Sequence, residues 1–248
     1  MPRFYIPPDR WNLDRLALDE DETHHATDVL RMKVGDCATV FNGEGGHAKV
    51  EFVSVGKRAI ELKVLHASQS PPPACRITLG QAIPKGKNMD LIVQKATELG
   101  AAAVVPLTTE RTVVQFDARD AEKKREKWQA VAIEACKQCG QDWLPAVLPA
   151  QTLAAFFQDQ PAFDLLLIAS LQPDALHPKK VLADYRREKG ANPASVLVVI
   201  GPEGDFTPAE MALAKAHGCR PITLGPIVLR TETAALYCLS VLSYELMG

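Results

Sequence analysis

The chain has 248 residues, of which 47% are hydrophobic and 23% are charged, as expected for a globular protein of one or two domains. Its formal net charge of −2 argues against polyanion binding driven by bulk charge, so a nucleic-acid site would need a local basic surface. No apolar stretch reaches the roughly 18 residues of a membrane span, and residues 1–11 lack the apolar core of a secretory signal. The six scattered cysteines indicate reduced thiols, and we expect a cytoplasmic protein.

Residues 1–70 are predicted to form a small antiparallel β-barrel or sandwich with one helix. An edge strand at residues 3–6 precedes an amphipathic helix over residues 22–32. A hairpin turn is predicted at Gly56-Lys57. The strands that follow the helix are expected over residues 38–41, 48–55 and 59–65. The stiff, polar segment 68–73 (SQSPPP) then indicates a linker to a second domain.

From residue 76 onward, apolar strands alternate with helices, which predicts a mainly parallel sheet covered by helices on both faces. Asn88 is expected to cap the first of these helices, and Thr207 is expected to form a capping box with Glu210. The last helix, over residues 233–247, is apolar nearly all round, which predicts a subunit interface. The predicted strands cover residues 77–83, 101–107, 163–169, 196–200 and 222–224, and the other helices cover 89–99, 119–139, 153–157 and 179–189.

Two glycine-proline loops follow the last two predicted strands, and each loop leads into a helix. Such loops at the carboxyl ends of parallel strands are where open α/β sheets bind small ligands. The first loop carries Glu203, and the second carries Arg230 and Glu232. A carboxylate in the first turn of a helix, as at Glu232, is also compatible with a simple cap. Arg230 gains nothing from the helix dipole, so a role in ligand or substrate binding is favoured for it.

Other familiar chemistries find no support in the sequence, which contains no P-loop, no G-x-G-x-x-G motif and no G-x-S-x-G motif. Cys136 and Cys139 form a lone C-x-x-C pair inside a predicted helix, where packing is a more common role than zinc binding. His24 and His25 have no partner cluster and are interpreted as helix-surface or cap residues. We therefore predict no metal site.

IGPEGDFT and LGPIVLRTETAAL resemble the two C-terminal motifs of the ribosomal small-subunit RNA methyltransferase E family, part of the SPOUT superfamily. The segments MPRFY, HHATDVLRMKVGD, IPKGKNMDLIVQKATELGAAAVVPLTTERTVV and EACKQCG follow in the order expected for that family. The resemblance implies a PUA-like RNA-binding β-barrel domain over residues 1–70. It also implies a methyltransferase domain over residues 74–248 whose parallel sheet carries a deep trefoil knot. The family is expected to act as a homodimer on 16S rRNA.

The resemblance further implies methylation of N3 of a uridine in the assembled small ribosomal subunit, with S-adenosylmethionine as the methyl donor. The implied donor-binding residues are Leu171, Ile200, Gly201, Pro202, Gly204, Leu224, Gly225, Leu229, Thr231 and Ala234. Deprotonation of N3 spreads negative charge onto the flanking carbonyl oxygens, so Arg230 is expected to stabilise it. Glu203 or Glu232 is the candidate base or the group that orients the uracil. The candidate RNA contacts are Arg3, Arg31, Lys33, Lys85, Lys87 and Arg111.

The chain departs from the family pattern at three places. Ile227 stands where arginine is common, Asp205 where glycine is common, and Gln141-Asp142 where an arginine is usual. Two basic groups are therefore missing from the expected RNA-binding face. Two alternatives stay open: a SPOUT methyltransferase that acts on another rRNA or tRNA site, and a non-catalytic RNA-binding relative.

Overall fold

The structure is a computed structural model that describes residues 1–56, 59–112, 118–159 and 162–247. Lys57, in the predicted hairpin turn, lies outside the described residues, as do Val113 and Val114 of the TTERTVV segment. The chain divides into two compact units. Unit 1 comprises Met1–Pro72 and Ile133–Leu144, and unit 2 comprises Pro73–Ala132 and Pro145–Gly248. The segment Ile133–Leu144, which lies within the predicted domain 74–248, thus packs with the N-terminal residues.

Unit 1 is built on a five-stranded sheet with the order β1-β3-β4-β5-β2. Its strands are β1 (Arg3–Tyr5), β2 (Ala17–Leu18), β3 (Cys37–Phe41), β4 (Gly46–Val55) and β5 (Ile60–Gln69). The first strand lies at the sheet edge, as predicted, but it pairs with β3 in parallel, whereas the other pairings are antiparallel. Buried and less buried residues alternate along most of β4, because successive side chains point to opposite faces of a strand. The short strand β2 was not predicted.

The predicted helix over residues 22–32 is shorter and irregular. It consists of α1 (Glu20–His24), which continues as one π-helical segment over His25–Val29. The Asp19 side chain caps its start by accepting a hydrogen bond from the backbone N–H of Glu22. Soon after the segment ends, the backbone at Arg31 adopts a positive φ of 56°, which right-handed helices do not allow.

Unit 2 contains a seven-stranded sheet in which every strand pairing is parallel, as predicted. The strand order is β12-β10-β11-β6-β7-β8, and β9 also pairs with β7. The five-residue stretch Val196–Ile200 of β11 is wholly buried, because helices cover both faces of a parallel sheet. The strands are β6 (Arg76–Ala82), β7 (Ala103–Thr108), β8 (Ala146–Val147), β9 (Gln151–Thr152), β10 (Leu165–Ala169), β11 (Ser195–Ile200) and β12 (Arg220–Ile222).

The helices of the second half begin at local signals that the sequence only partly predicts. Thr207 and Glu210 form the predicted capping box at the start of α6. The prediction for Asn88 was wrong: it is the first residue of α2, and Lys87 holds the N-cap position without a side-chain hydrogen bond. The helices are α2 (Asn88–Glu98), α3 (Ala118–Cys139), α4 (Leu153–Asp159), α5 (Pro178–Lys189), α6 (Pro208–Ala216) and α7 (Thr231–Leu246).

Helix α7 starts two residues earlier than predicted and leaves one of its faces exposed. Thr233, Tyr237, Ser240 and Tyr244 form this face, because residues spaced by three or four positions lie on the same side of a helix. Tyr244 is 85% exposed. An aromatic side chain this exposed on an otherwise buried helix marks a candidate contact surface.

A buried ion pair joins α3 to the N-terminal part of unit 1. The Lys137 ammonium lies 2.5 Å from a Glu22 carboxylate oxygen, and the two side chains are only 11% and 10% exposed. Burial raises the pKa of Glu22, although the hydrogen bond and the charge of Lys137 oppose this shift. Burial lowers the pKa of Lys137, but hydrogen bonds to Glu134 and Glu22 outweigh it, so the net pKa is raised. Each charge therefore depends on the other to remain buried.

Replacement of Lys137 by methionine is expected to lower the free energy of unfolding by about 3–5 kcal/mol, because it leaves the Glu22 carboxylate buried without a cation. The pKa of Glu22 is higher in the folded state than in the unfolded state. The charged carboxylate therefore destabilises the fold as pH rises from the unfolded pKa through the folded pKa. The deficit of Lys137→Met should therefore shrink as pH falls and Glu22 takes up its proton. Urea denaturation at a series of pH values measures this loss of unfolding free energy. The double variant Lys137→Met/Glu22→Gln is the control, and it should be more stable than Lys137→Met at neutral pH.

Candidate functional site

A partly open cavity of about 280 Å³ lies in unit 2, where three adjacent strands end. The carboxyl ends of β10, β11 and β12 meet at one edge of the sheet because these strands are parallel neighbours. The walls of the cavity are formed by the loops that leave these strands and by the start of α7. The lining residues are Ala169, Ser170, Leu171, Ile200, Gly201, Pro202, Glu203, Asp205, Leu224, Gly225, Ile227, Val228, Leu229, Arg230, Thr231 and Ala234.

The structure brings together the predicted donor-binding residues, with one exception. Leu171, Ile200, Gly201, Pro202, Leu224, Gly225, Leu229, Thr231 and Ala234 all line the cavity. Gly204 does not, and its carbonyl oxygen instead accepts a hydrogen bond from Nη1 of Arg111 at 2.5 Å. The cavity is also lined by five residues that were not among the predicted donor-binding or catalytic residues: Ala169, Ser170, Asp205, Ile227 and Val228. Ala169 ends the predicted strand 163–169 and Ser170 follows it, and their place at this sheet edge was the signal that could have located them.

Of the three predicted catalytic residues, Arg230 and Glu203 line the cavity and Glu232 does not. Arg230 occupies the N-cap position of α7 and is exposed. Within the part of the chain that the structure describes, its side chain makes no hydrogen bond or ion pair. Oε1 of Glu203 accepts a hydrogen bond from the backbone N–H of Lys85 at 3.0 Å. Glu203 therefore joins the loop after β11 to the loop after β6.

A hydrogen-bonded chain that the sequence analysis did not foresee holds two walls of the cavity together. The Thr231 hydroxyl donates to the Gly201 carbonyl oxygen at 2.7 Å, across the two glycine-proline loops. The same hydroxyl accepts from Nε2 of Gln81 at 2.9 Å. Gln81 lies on β6 and is fully buried. No sequence motif marks Gln81 as part of a site, and only the packing of α7 against β6 and β11 brings it into contact with Thr231.

The predicted RNA contacts in unit 2 lie on loops at the same sheet edge as the cavity. Lys85 and Lys87 follow β6 and are exposed. Arg111 follows β7 and is exposed, although it already binds the Gly204 carbonyl oxygen. The side-chain amines of both lysines make no hydrogen bond or ion pair among the described residues. They are thus available to an external anion.

The predicted RNA contacts of unit 1 differ from one another in their surroundings. Arg31 and Lys33 are exposed. Arg3 is only 15% exposed, and its Nη2 lies 2.7 Å from Oδ1 of Asp142. The guanidinium also stacks over the Phe41 ring, 4.8 Å from its centre. Arg3 is therefore engaged by Asp142, one of the residues at which this chain departs from the family pattern.

The residues that line the cavity include no histidine and no cysteine. The described residues contain no group of three or more His, Cys, Asp or Glu side chains that could hold a metal ion. His24 pairs with Asp28 at 2.6 Å, in unit 1. Burial raises the pKa of Cys219 and of Cys238 to about 12, so neither thiol is a nucleophile at neutral pH. No helix among the described residues is long and apolar enough to cross a membrane.

Comparison with known proteins identifies the class. Residues 71–243 match the RNA methyltransferase domain family, and residues 18–65 match the RNA methyltransferase PUA domain family. The ribosomal RNA small subunit methyltransferase E of Bacillus subtilis is 32% identical, over 99% of this chain and 97% of its own. The chain is thus an RNA methyltransferase of the SPOUT type with a PUA-like N-terminal domain.

Solved structures agree with this class. The ribosomal RNA small subunit methyltransferase E of Neisseria gonorrhoeae, bound to S-adenosylmethionine, is 31% identical with a TM-score of 0.85, over 99% of this chain and 98% of that one. A Legionella pneumophila methyltransferase in complex with the same cofactor is 34% identical, also with a TM-score of 0.85, over 98% and 97%. The chain belongs to the ribosomal RNA small subunit methyltransferase E family. The predicted fold class is confirmed, whereas the trefoil knot stays a prediction.

The backbone at Asp205 adopts a conformation that favours glycine. Its φ is +61°, a conformation that L-residues adopt at a cost and glycine adopts freely. The Asp205 carboxylate offsets part of that cost, because Oδ1 accepts a hydrogen bond from the N–H of Phe206 at 2.8 Å. An aspartate is therefore tolerated in the cavity wall.

We expect Asp205→Gly to keep or raise the free energy of unfolding, by up to about 1 kcal/mol, because glycine relieves the unfavourable φ. Asp205→Ala keeps the unfavourable φ and loses the hydrogen bond, so it should lower the same quantity by about 1 kcal/mol. Urea denaturation of both variants separates the two effects. Equal stability of the alanine and glycine variants would contradict this account of the loop.

Proposed function

We propose that this protein transfers a methyl group from S-adenosylmethionine to N3 of a uridine in 16S rRNA, within the assembled small ribosomal subunit. The observation that carries the proposal is the apolar cavity at the ends of β10, β11 and β12, with Arg230 at its rim and unpaired as far as the described residues go. The bound donor in the Neisseria gonorrhoeae relative supports the choice of cofactor.

The residues of the cavity fit a methyl donor that has an apolar purine and a charged amino-acid end. Leu224, Leu229 and Ala234 supply an apolar slot, and the glycine backbone of the loops can approach a ligand closely. Helix α7 starts at the cavity without any side-chain cap, so its first N–H groups are open to a polar ligand atom. S-adenosylmethionine supplies an electrophilic methyl group at a sulfonium. The preformed walls restrict its orientation, which favours in-line transfer.

On the substrate side, uridine N3 carries a proton and becomes a good nucleophile only when that proton leaves. Negative charge then develops on the two carbonyl oxygens beside N3, and we assign its stabilisation to the guanidinium of Arg230, which lines the cavity. Glu203 is better placed than Glu232 to accept the proton or orient the uracil, because Glu203 lines the cavity. Its Oε1 accepts a hydrogen bond from the loop after β6, and Oε2, which has no hydrogen-bond partner among the described residues, is assigned this role.

RNA binding is assigned to exposed cations in both units. Lys85, Lys87 and Arg111 lie at the sheet edge that carries the cavity, and Arg31 and Lys33 project from unit 1. Such phosphate contacts position RNA without reading its sequence, so the folded RNA of an assembled particle presents the target base. The predicted domain 1–70 serves as the RNA-binding domain. Arg3 contributes to RNA binding only indirectly, because its guanidinium forms an ion pair with Asp142.

We further propose that the protein acts in the cytoplasm as a homodimer. The exposed face of α7 carries Tyr237 and Tyr244, and the rim of the cavity exposes Ile227 and Val228 to 68% and 76%. A monomer rarely leaves so many large apolar side chains in water. A second copy of the chain that covers the face of α7 would bury them, and it would complete the surroundings of the donor site.

Arg230→Ala is expected to lower kcat by about 100-fold or more, the effect of removing one stabiliser of a developing negative charge. The dissociation constant of S-adenosylhomocysteine should change little, because the donor binds to the loop backbone and the apolar wall. Methyl transfer to assembled small subunits, followed by analysis of the modified base, measures the activity. Arg187→Ala, at an exposed arginine of α5, is the matched control. Wild-type turnover by Arg230→Ala would remove Arg230 from the mechanism.

Tyr244→Arg should convert the dimer to a monomer, because it places a charge in the apolar contact surface. The association state is measured by sedimentation velocity over a range of protein concentrations. Tyr185→Phe, at a buried tyrosine of α5, is the control and should remain dimeric. A wild-type protein that is monomeric at all concentrations would refute the dimer.

A further inference from the structure

The side-chain amide of Gln81 is buried near the carboxyl end of β6, between the apolar residues Ile200 and Pro106 of the neighbouring strands. Gln81 is 0% exposed, and its neighbours in strand register are Ile200 on β11 and Pro106 on β7. Its Nε2 donates both of its protons, to the Ala82 carbonyl oxygen at 2.8 Å and to Oγ1 of Thr231 at 2.9 Å. Its Oε1 is buried and has no hydrogen-bond partner among the described residues.

An unsatisfied buried oxygen destabilises the fold. A methionine has a similar length and would fill the same space without leaving a polar atom unpaired. The amide therefore costs stability where an apolar side chain would not. A buried polar atom without a hydrogen-bond partner is expected at functional sites.

The direction of the hydrogen-bonded chain is fixed by its chemistry. A carbonyl oxygen only accepts, so the single proton of the Thr231 hydroxyl must go to Gly201. Thr231 can then only accept from Gln81, and Gln81 must present its NH₂ group to it. No flipped amide satisfies the same contacts. Each member of the chain thus specifies the orientation of the next.

This chain ends on the two loops that enclose the cavity. Gly201 belongs to the loop after β11, and Thr231 is the first residue of α7, directly after the loop that follows β12; both line the cavity. Gly201 is also confined from another side, since a Cβ at this position would lie 3.0 Å from the Phe206 ring. Gln81 itself is not among the lining residues, so any effect on a ligand passes through Thr231.

We propose that Gln81 is a positioning residue for methyl transfer, which acts through Thr231 to fix the separation of the two loops around the methyl donor. This inference rests on the proposed function of the cavity. It assigns to β6 a part in donor binding that its sequence does not indicate. Without the amide, the Thr231 hydroxyl is free to rotate away from Gly201, and the two walls are no longer held together.

The test compares Gln81→Met with Thr231→Val, with the double variant and with the wild type. Calorimetric titration with S-adenosylhomocysteine gives the dissociation constant, and steady-state assays give KM for the donor and kcat. Gln81→Met should raise the dissociation constant and the KM roughly tenfold, as for the loss of one useful hydrogen bond, with a smaller change in kcat. The double variant should bind no more weakly than Thr231→Val, because the two residues act in one chain.

Two controls separate positioning from a general loss of stability. Thr78→Val removes another buried polar group from the same strand; Thr78 is 9% exposed, and its hydroxyl makes no hydrogen bond among the described residues. This variant should bind the ligand like the wild type, whatever its change in unfolding midpoint. Thr231→Ser keeps the hydroxyl and should restore most of the affinity lost in Thr231→Val, a comparison that holds even if Gln81→Met fails to fold.

The outcomes distinguish this inference from the function on which it rests. If the wild type binds S-adenosylhomocysteine and Gln81→Met binds it equally well, the positioning role is wrong while the donor site stands. Additive losses in the double variant, or equal binding by Thr231→Val and Thr231→Ser, would also refute it. If the wild type itself binds no S-adenosylhomocysteine, the proposed function fails, and the inference falls with it.

Discussion

The parallel alignment of β12, β10 and β11 is the constraint on which the candidate site depends. Because the three strands run in one direction side by side, the chain must leave the sheet three times at the same edge. The loops that leave it supply almost the whole lining of the cavity. Residues more than 50 positions apart in sequence, such as Leu171 and Leu229, come together for this reason alone.

In the part of the chain that the structure describes, charged groups are paired in the buried part of unit 1 but not around the cavity of unit 2. In unit 1, charged groups are buried in partnership: Glu22 with Lys137, and Arg3 with Asp142. Around the cavity, Arg230 stays unpaired among the described residues, and large apolar side chains such as Val228 stay exposed. The first arrangement stabilises a fold, whereas the second leaves binding energy available to a ligand or a partner.

The departures from the family pattern have different structural consequences. Asp205 is accommodated by a hydrogen bond to the next residue at a backbone conformation that suits glycine. Asp142 accepts hydrogen bonds from both Arg3 and Ser70. At the segment that lacks the expected arginine, the guanidinium of Arg3 is therefore also turned inward. Ile227 instead adds an exposed apolar side chain at the cavity rim.

By itself, the sequence determined the alternation of strands and helices, the capping box at Thr207, and the position of the two glycine-proline loops that line the cavity. These features depend on local periodicity and on residues whose backbone preferences are strong. Only the tertiary structure decided that Gln81 contacts Thr231, that Gly204 turns away from the cavity toward Arg111, and that residues 133–144 pack with the N-terminal unit. Such contacts join residues that are far apart in the sequence. Local sequence patterns do not determine these partners, because the partners depend on the order of the strands in the sheet.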